Sequence, residues 1–163
     1  MSAHTSIVIV WPAHFEGSTD STSHVTALFL GKTGGKFAKA HPNFRERLEV
    51  FLDGMTQDPG PIGVEQLGHV GYRKDIPALM LGFQNELADQ YAYMHSQLSQ
   101  GGVPIDATYA FRPHVTLSKE HDFEIPETVH LEAPILWWGN ERGIHSKHQL
   151  QAAMDRHPAG SGL

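Results

Sequence analysis

A chain of 163 residues with 40% hydrophobic and 18% charged residues has the material for one folded domain with a real core. Its formal charge of −6 argues against a protein that grips long nucleic acid through its phosphates, although a local pocket for a small nucleotide needs only a few donors. Cysteine is absent, which excludes disulfides and thiolate chemistry. No apolar run reaches membrane-spanning length, and residues 1–11 lack the basic start and long apolar stretch of a signal peptide, so no membrane role is expected.

In chain order, Ser6-Ile7-Val8-Ile9-Val10-Trp11 is rich in β-branched residues and reads as a buried strand ended by Pro12. Residues 16–23 read as loop, His24 to Leu30 as a second strand, and Gly31 to Gly35 as a flexible turn. Between Asn43 and Leu52 the positions Phe44, Leu48, Phe51 and Leu52 follow helical spacing. Asp58-Pro59-Gly60-Pro61 breaks the chain, and Ile62 to Val70 and Ala78 to Phe83 then read as two strands around a Gly71-to-Asp75 turn. Leu87, Tyr91, Met94 and Leu98 mark an amphipathic helix over 85–100, with Asn85 as its cap and Gly101-Gly102 as its stop. A strand at His114 follows, then Val129 to Trp138, interrupted near Pro134. This order suits an α+β fold with mainly antiparallel sheet and outer helices. Residues 1–154 are expected to form a single domain of two similar lobes, and 155–163 a flexible tail.

The tripeptide His-Val-Thr occurs twice, at His24-Val25-Thr26 and His114-Val115-Thr116, each leading into an apolar run. Composition alone predicts about 0.04 copies. On a strand, alternation sends His and Thr to one face and Val to the other. Each copy thus offers an imidazole and a hydroxyl side by side. Two such strands facing a shared cleft would supply a general base and a general acid near neutral pH, with Thr hydroxyls donating to non-bridging phosphate oxygens. No phosphate-cradling Gly-rich loop and no Ser elbow competes with this reading.

The 12 histidines raise the question of metal, yet none shows His-x3-His spacing. His145 and His148 are three apart, which would suit one helix face, but such a His pair alone is weak evidence for a site, so neither a metal nor a cofactor is expected.

The paired motifs resemble those of the 2H phosphoesterase superfamily, which includes LigT-like 2′-5′ RNA ligases and cyclic phosphodiesterases. Phe111-Arg112-Pro113-His114-Val115-Thr116-Leu117 is similar to that family's Phe-x-Pro-His-hydrophobic-Thr-Leu block. The Leu28-Phe29-Leu30-Gly31 end of the first motif is equally typical, and Leu136-Trp137-Trp138-Gly139 is similar to the late strand of phage-type members. The resemblance spans about residues 5–140 and is strong only at the motifs. It implies a bilobal LigT-like fold with a central cleft and metal-independent phosphodiester chemistry. It also implies His24 and His114 as the acid–base pair and Thr26 and Thr116 as phosphate binders. His24 follows Trp11 by only 13 positions, where bacterial LigT-like members carry a helix. Compact phage members that degrade cyclic oligonucleotide immune signals are similarly short, which implies a small nucleotide or cyclic oligonucleotide as partner and a bacterial or phage-infected cytoplasm as setting.

Trp11, Tyr109 and Trp138 are candidates to stack on a base. A regular strand would put Trp138 on one face with His130 and Glu132, and Trp137 with Val129 and Leu131, which favours Trp138 for the cleft unless Pro134 shifts the register. Arg112, Lys119 and Lys32 flank the motifs, where solvated charge is the default. The alternative to an enzyme is a nucleotide-binding sensor or sponge that uses the same cleft without cleavage.

Overall fold

The computed structural model describes residues 6–17, 23–32, 36–70, 73–83, 85–105, 111–117, 124–140 and 143–146. Along the chain these form β1 (Ser6–His14), β2 (His24–Lys32), α1 (Lys36–Ala40), α2 (Phe44–Asp53), β3 (Gly60–Val70), β4 (Ile76–Leu81), α3 (Asn85–Gln100), β5 (His114–Thr116), β6 (Thr128–Leu131), β7 (Ile135–Asn140) and β8 (Gly143–Ser146). Every strand pairing among the described residues is antiparallel. Pairing runs β2-β5-β4-β3-β6-β1-β7-β8, and β1 also pairs back to β2. Six strands therefore close a circuit, with β7 and β8 extending from β1. The expected α+β class with an antiparallel sheet is the one observed.

Strand β1 holds this circuit together, and it runs on through Pro12 rather than ending there. Proline removes one ladder donor but keeps its carbonyl, and the Pro12 carbonyl accepts the Glu132 amide at 2.9 Å. At this point β1 changes partner along one edge. Residues 6–10 pair with β7, whereas Ala13 and His14 pair with Leu131 and His130 of β6.

The core lies between the sheet and the helices. Trp11, Val25, Leu79 and Val115 are fully buried and pack in one cluster with Leu48 and Leu52 of α2 and with Leu87, Met94 and Leu98 of α3. Full burial of one such aliphatic side chain stabilises the fold by about 1.5–3 kcal/mol. The buried face of α3 also carries Gln90, which the apolar periodicity passes over. The Trp11 indole N–H donates to Gln90 Oε1 at 2.9 Å, and Gln90 Nε2 donates to the Gln57 carbonyl at 2.7 Å and to Glu86 Oε1 at 3.1 Å. A polar side chain can stay in the core because its hydrogen bonds are made there. Helix α3 stops as its glycines suggest. Gly102 takes φ +80°, the Gly102 amide donates to the Ser99 carbonyl, and the Val103 amide donates to the Leu98 carbonyl.

Helix α1 and strand β8 have no counterpart in the expectations from sequence. Strand β8 pairs His145 with Trp138, so His145 sits on a strand rather than on a helix face. His148 and the expected tail at 155–163 lie outside the described residues. No helix among the described residues is long and apolar enough to cross a membrane.

Candidate active site

The two His-Val-Thr tripeptides, 90 positions apart in sequence, form neighbouring antiparallel strands centred on the pair Val25↔Val115. Both valines are fully buried on the core face. Their flanking residues therefore project from the opposite face. Antiparallel register, one residue either side of the valine pair, sets His24 across from Thr116 and Thr26 across from His114. Directly opposed Cβ atoms lie about 4.5–5.5 Å apart, and the diagonal that joins His24 to His114 is about 7–8 Å. The result is a local two-fold arrangement of two imidazoles and two hydroxyls on one surface. The histidines are half-buried and the threonines exposed. Such a surface can hold one tetrahedral phosphate between two rings, with a hydroxyl beside each.

Neighbouring strands make the floor of this face. Val10 pairs with Thr26, Pro12 with His24, Met80 with His114 and Ala78 with Thr116. Val10, Ala78 and Trp137 are buried yet stand outside the helix-facing core cluster, as residues beneath the site should. Gly68 pairs with Ala78 in β3. A Cβ there would meet Met80 Cγ at 2.8 Å and Sδ at 2.9 Å, so Met80 fills the space that a side chain at position 68 would need.

His114 is oriented from its own backbone. Its Nδ1 lies 2.7 Å from the Arg112 carbonyl oxygen. A carbonyl only accepts, so Nδ1 carries a proton and Nε2 is the nitrogen left to exchange one. Nε2 accepts a proton when the ring is neutral and gives one up when it is charged. Pro113, between them, is buried, and its ring fixes its own φ. His24 packs against Trp137, with ring centroids 3.9 Å apart and planes at 82°.

The aromatic candidates are sorted differently from the sequence expectation. Trp11 is fully buried, faces α3 and is hydrogen-bonded to Gln90, so it offers no ring face to a base. It is a core residue, because its direct strand partner is the inward-facing Val25. Trp137 reaches the site through its contact with His24. Residues 130 and 131 pair with 14 and 13, while 135 to 139 pair with 10 to 6, and the interruption at 132–134 takes up one extra residue. A slip of one exchanges the two faces, which moves Trp137 onto the His24 side. Trp138 belongs to β7 as a backbone, and its pairing partner Ile7 is a core residue. Tyr109 and Lys119 lie outside the described residues. The Arg112 side chain is exposed.

Two histidines that the motifs do not contain pair across β1 and β6. His14, two positions beyond Pro12, is the cross-strand partner of His130. His14 Nε2 meets Glu132 Oε2, and His130 Nε2 lies 3.3 Å from Asp58 Oδ2, whose other oxygen accepts the Ala133 amide at 2.8 Å. Among the described residues no three His, Cys, Asp or Glu side chains form a group that could hold a metal ion. Behind Trp11, a separate cavity of about 370 Å³ lies between the turn at Gly54–Gln57 and α3, and it touches none of the four motif residues.

Beside Phe111, at the entrance to β5, an aromatic stack supports the second motif. Phe111 stacks on Tyr91 with centroids 4.1 Å apart, and Phe83 meets both rings edge-on. Burial in this stack raises the Tyr91 phenol above its ordinary value near 10.

Fold and site together define a class: an α+β protein of LigT-like architecture that joins two His-x-Thr strands on one surface. The solved structures it is similar to share the fold. E. coli LigT in complex with 3′-AMP superposes with a TM-score of 0.52 at 16% identity, over 89% of this chain and 95% of that one. The apo form of E. coli LigT gives 0.51 at 17% identity over 90% and 95%, and a further phosphoesterase gives 0.51 at 16% over 88% and 94%. No protein-family model matches the chain, and no curated protein matches it by sequence.

Proposed function

We propose that this chain is a metal-independent phosphodiesterase of the 2H type, acting on a small cyclic nucleotide, a cyclic oligonucleotide or a 2′-5′-linked oligonucleotide. The observation that carries the reading is the register of β2 on β5, which turns two distant copies of one tripeptide into a single surface. In the favoured sequence one histidine takes a proton from a ribose 2′-hydroxyl or from water, and that oxygen attacks phosphorus in line. The second histidine protonates the departing oxygen. Thr26 and Thr116 donate to the non-bridging oxygens, where charge builds in the transition state. His114 works through Nε2 in either role, since Nδ1–H is committed to the Arg112 carbonyl.

The substrate class follows from size and charge. The site is a patch of four side chains, and the chain carries a net charge of −6, which opposes extended polyanions more than one compact phosphate. That E. coli LigT takes 3′-AMP supports a nucleotide for this fold. The setting we propose is a bacterial or phage-infected cytoplasm.

The test is turnover of a panel of cyclic dinucleotides, cyclic trinucleotides, 2′,3′-cyclic mononucleotides and 2′-5′ dimers, with a chelator present. Cleavage of at least one class in chelator supports the reading. Tight binding of one class with no turnover of any overturns it in favour of a nucleotide sensor. Turnover that vanishes on chelation overturns the metal-independent mechanism.

A further inference from the structure

We infer that Trp137 is a positioning residue for His24, holding that imidazole in its working orientation within the site proposed above. The inference rests on the phosphodiesterase reading for its kinetic consequences but on geometry for its substance.

Trp137 reaches His24 only because of the one-residue slip between β6 and β7. The two rings then meet at 3.9 Å between centroids and close to perpendicular, at 82°. Such an edge-to-face contact is directional, because the edge of one ring meets the electron-rich face of the other. Rotation of the imidazole about its χ2 bond would lose the contact, so the indole selects among the ring orientations available to His24.

Trp137 is also costly where it stands. It is only 4% exposed, and its indole nitrogen is the one buried side-chain nitrogen or oxygen among the described residues that lacks a hydrogen-bond partner. Trp11, also buried, has its N–H satisfied by Gln90. A phenylalanine at 137 would fill most of the space without stranding a donor, so stability alone does not account for tryptophan at this position. The contact with His24 does. A backbone carbonyl thus lies against His114 Nδ1, and an indole packs against the His24 ring.

The test compares the full-length chain with W137F and W137L by turnover of a 2′,3′-cyclic mononucleotide, by thermal melting and by NMR of the histidine rings. The expected result is a kcat lowered about tenfold in W137F and further in W137L, because misplacement of a reacting group degrades the rate steeply. KM should stay within about twofold of wild type, since a positioning role leaves ground-state binding intact. The His24 ring signals should move while those of His114 stay in place. Wild-type kcat in W137L with unmoved His24 signals overturns the inference, and so does a raised KM at unchanged kcat, which would make Trp137 a substrate contact. The wild-type chain supplies a check that needs no variant: a nuclear Overhauser contact between the His24 ring and the Trp137 indole is required, and its absence in the folded chain is fatal. If the wild type cleaves no nucleotide, the phosphodiesterase reading falls, and the His24 signals still decide whether Trp137 orients that ring.

Discussion

Replacing Thr116 with valine is the sharpest separation of fold from chemistry that this site allows. Thr116 ends β5 on the exposed face, opposite His24, with Ala78 beside it on β4. Valine has nearly the shape of threonine and an equal liking for strands, so only the hydroxyl is lost. An exposed strand position of this kind costs the fold no more than about 0.5 kcal/mol. The loss in catalysis is much larger if the hydroxyl donates to phosphate. Removing one donor from an oxyanion-type site costs about 10²–10³ in kcat, or roughly 3–4 kcal/mol. We expect the lower end, because a phosphate already carries charge in the ground state and part of the loss will fall on KM. Local two-fold symmetry then predicts the same for T26V, within a few-fold, since Thr26 stands against His114 as Thr116 stands against His24. The assay is steady-state cleavage of the best substrate beside urea unfolding of the same samples. T116V with kcat/KM within threefold of wild type and unchanged stability would refute the phosphate-binding role, and an activity loss that tracks lost stability would refute the separation of roles.

Further outcomes follow from the core and from titration. V115A should destabilise the chain by about 2 kcal/mol in urea, since it removes two methyl groups from a fully buried site beneath the motif. Q90L leaves the buried Trp11 indole N–H without its acceptor and should cost about 1–3 kcal/mol, read by the same unfolding experiment. Activity should show a bell-shaped dependence on pH, with one limb from the group that must be neutral and the other from the group that must be charged. The raised Tyr91 phenol keeps its proton in the folded chain at pH values where the unfolded chain ionises. Stability should therefore fall as pH climbs past about 10, and Y91F should flatten that alkaline limb, measured by melting temperature against pH.

What could be read before folding was local. Alternation along a strand places His24 and Thr26 together and turns Val25 inward, and the buried valines of β2 and β5 show that alternation at work. The spacing of Leu87, Met94 and Leu98 marks the buried stripe of α3. Long-range facts were not legible, because nothing in the residues near His24 says that β5 will be its neighbour. The tryptophans show the limit most clearly. Facing in β7 depends on whether 132–134 absorb an odd or an even number of residues, a matter of pairing with β1 and not of the local sequence. Trp11 followed from a similar cause: a strand end beside a loop is a plausible rim, but its strand continues to His14 and its ring lies under α3. Gln90 gave no signal at all, since a polar residue on an apolar helix face is recognisable only once its three partners are in place.

Single-turnover cleavage by H24A, H114A and the double variant bears most directly on the account. If the two tripeptides form one acid–base site, each single variant loses nearly all activity and the double variant is no slower than the worse single, because groups that act as a unit fail together. Full activity in either single variant, or losses that multiply in the double, would mean that the histidines work independently and that the shared site is wrong.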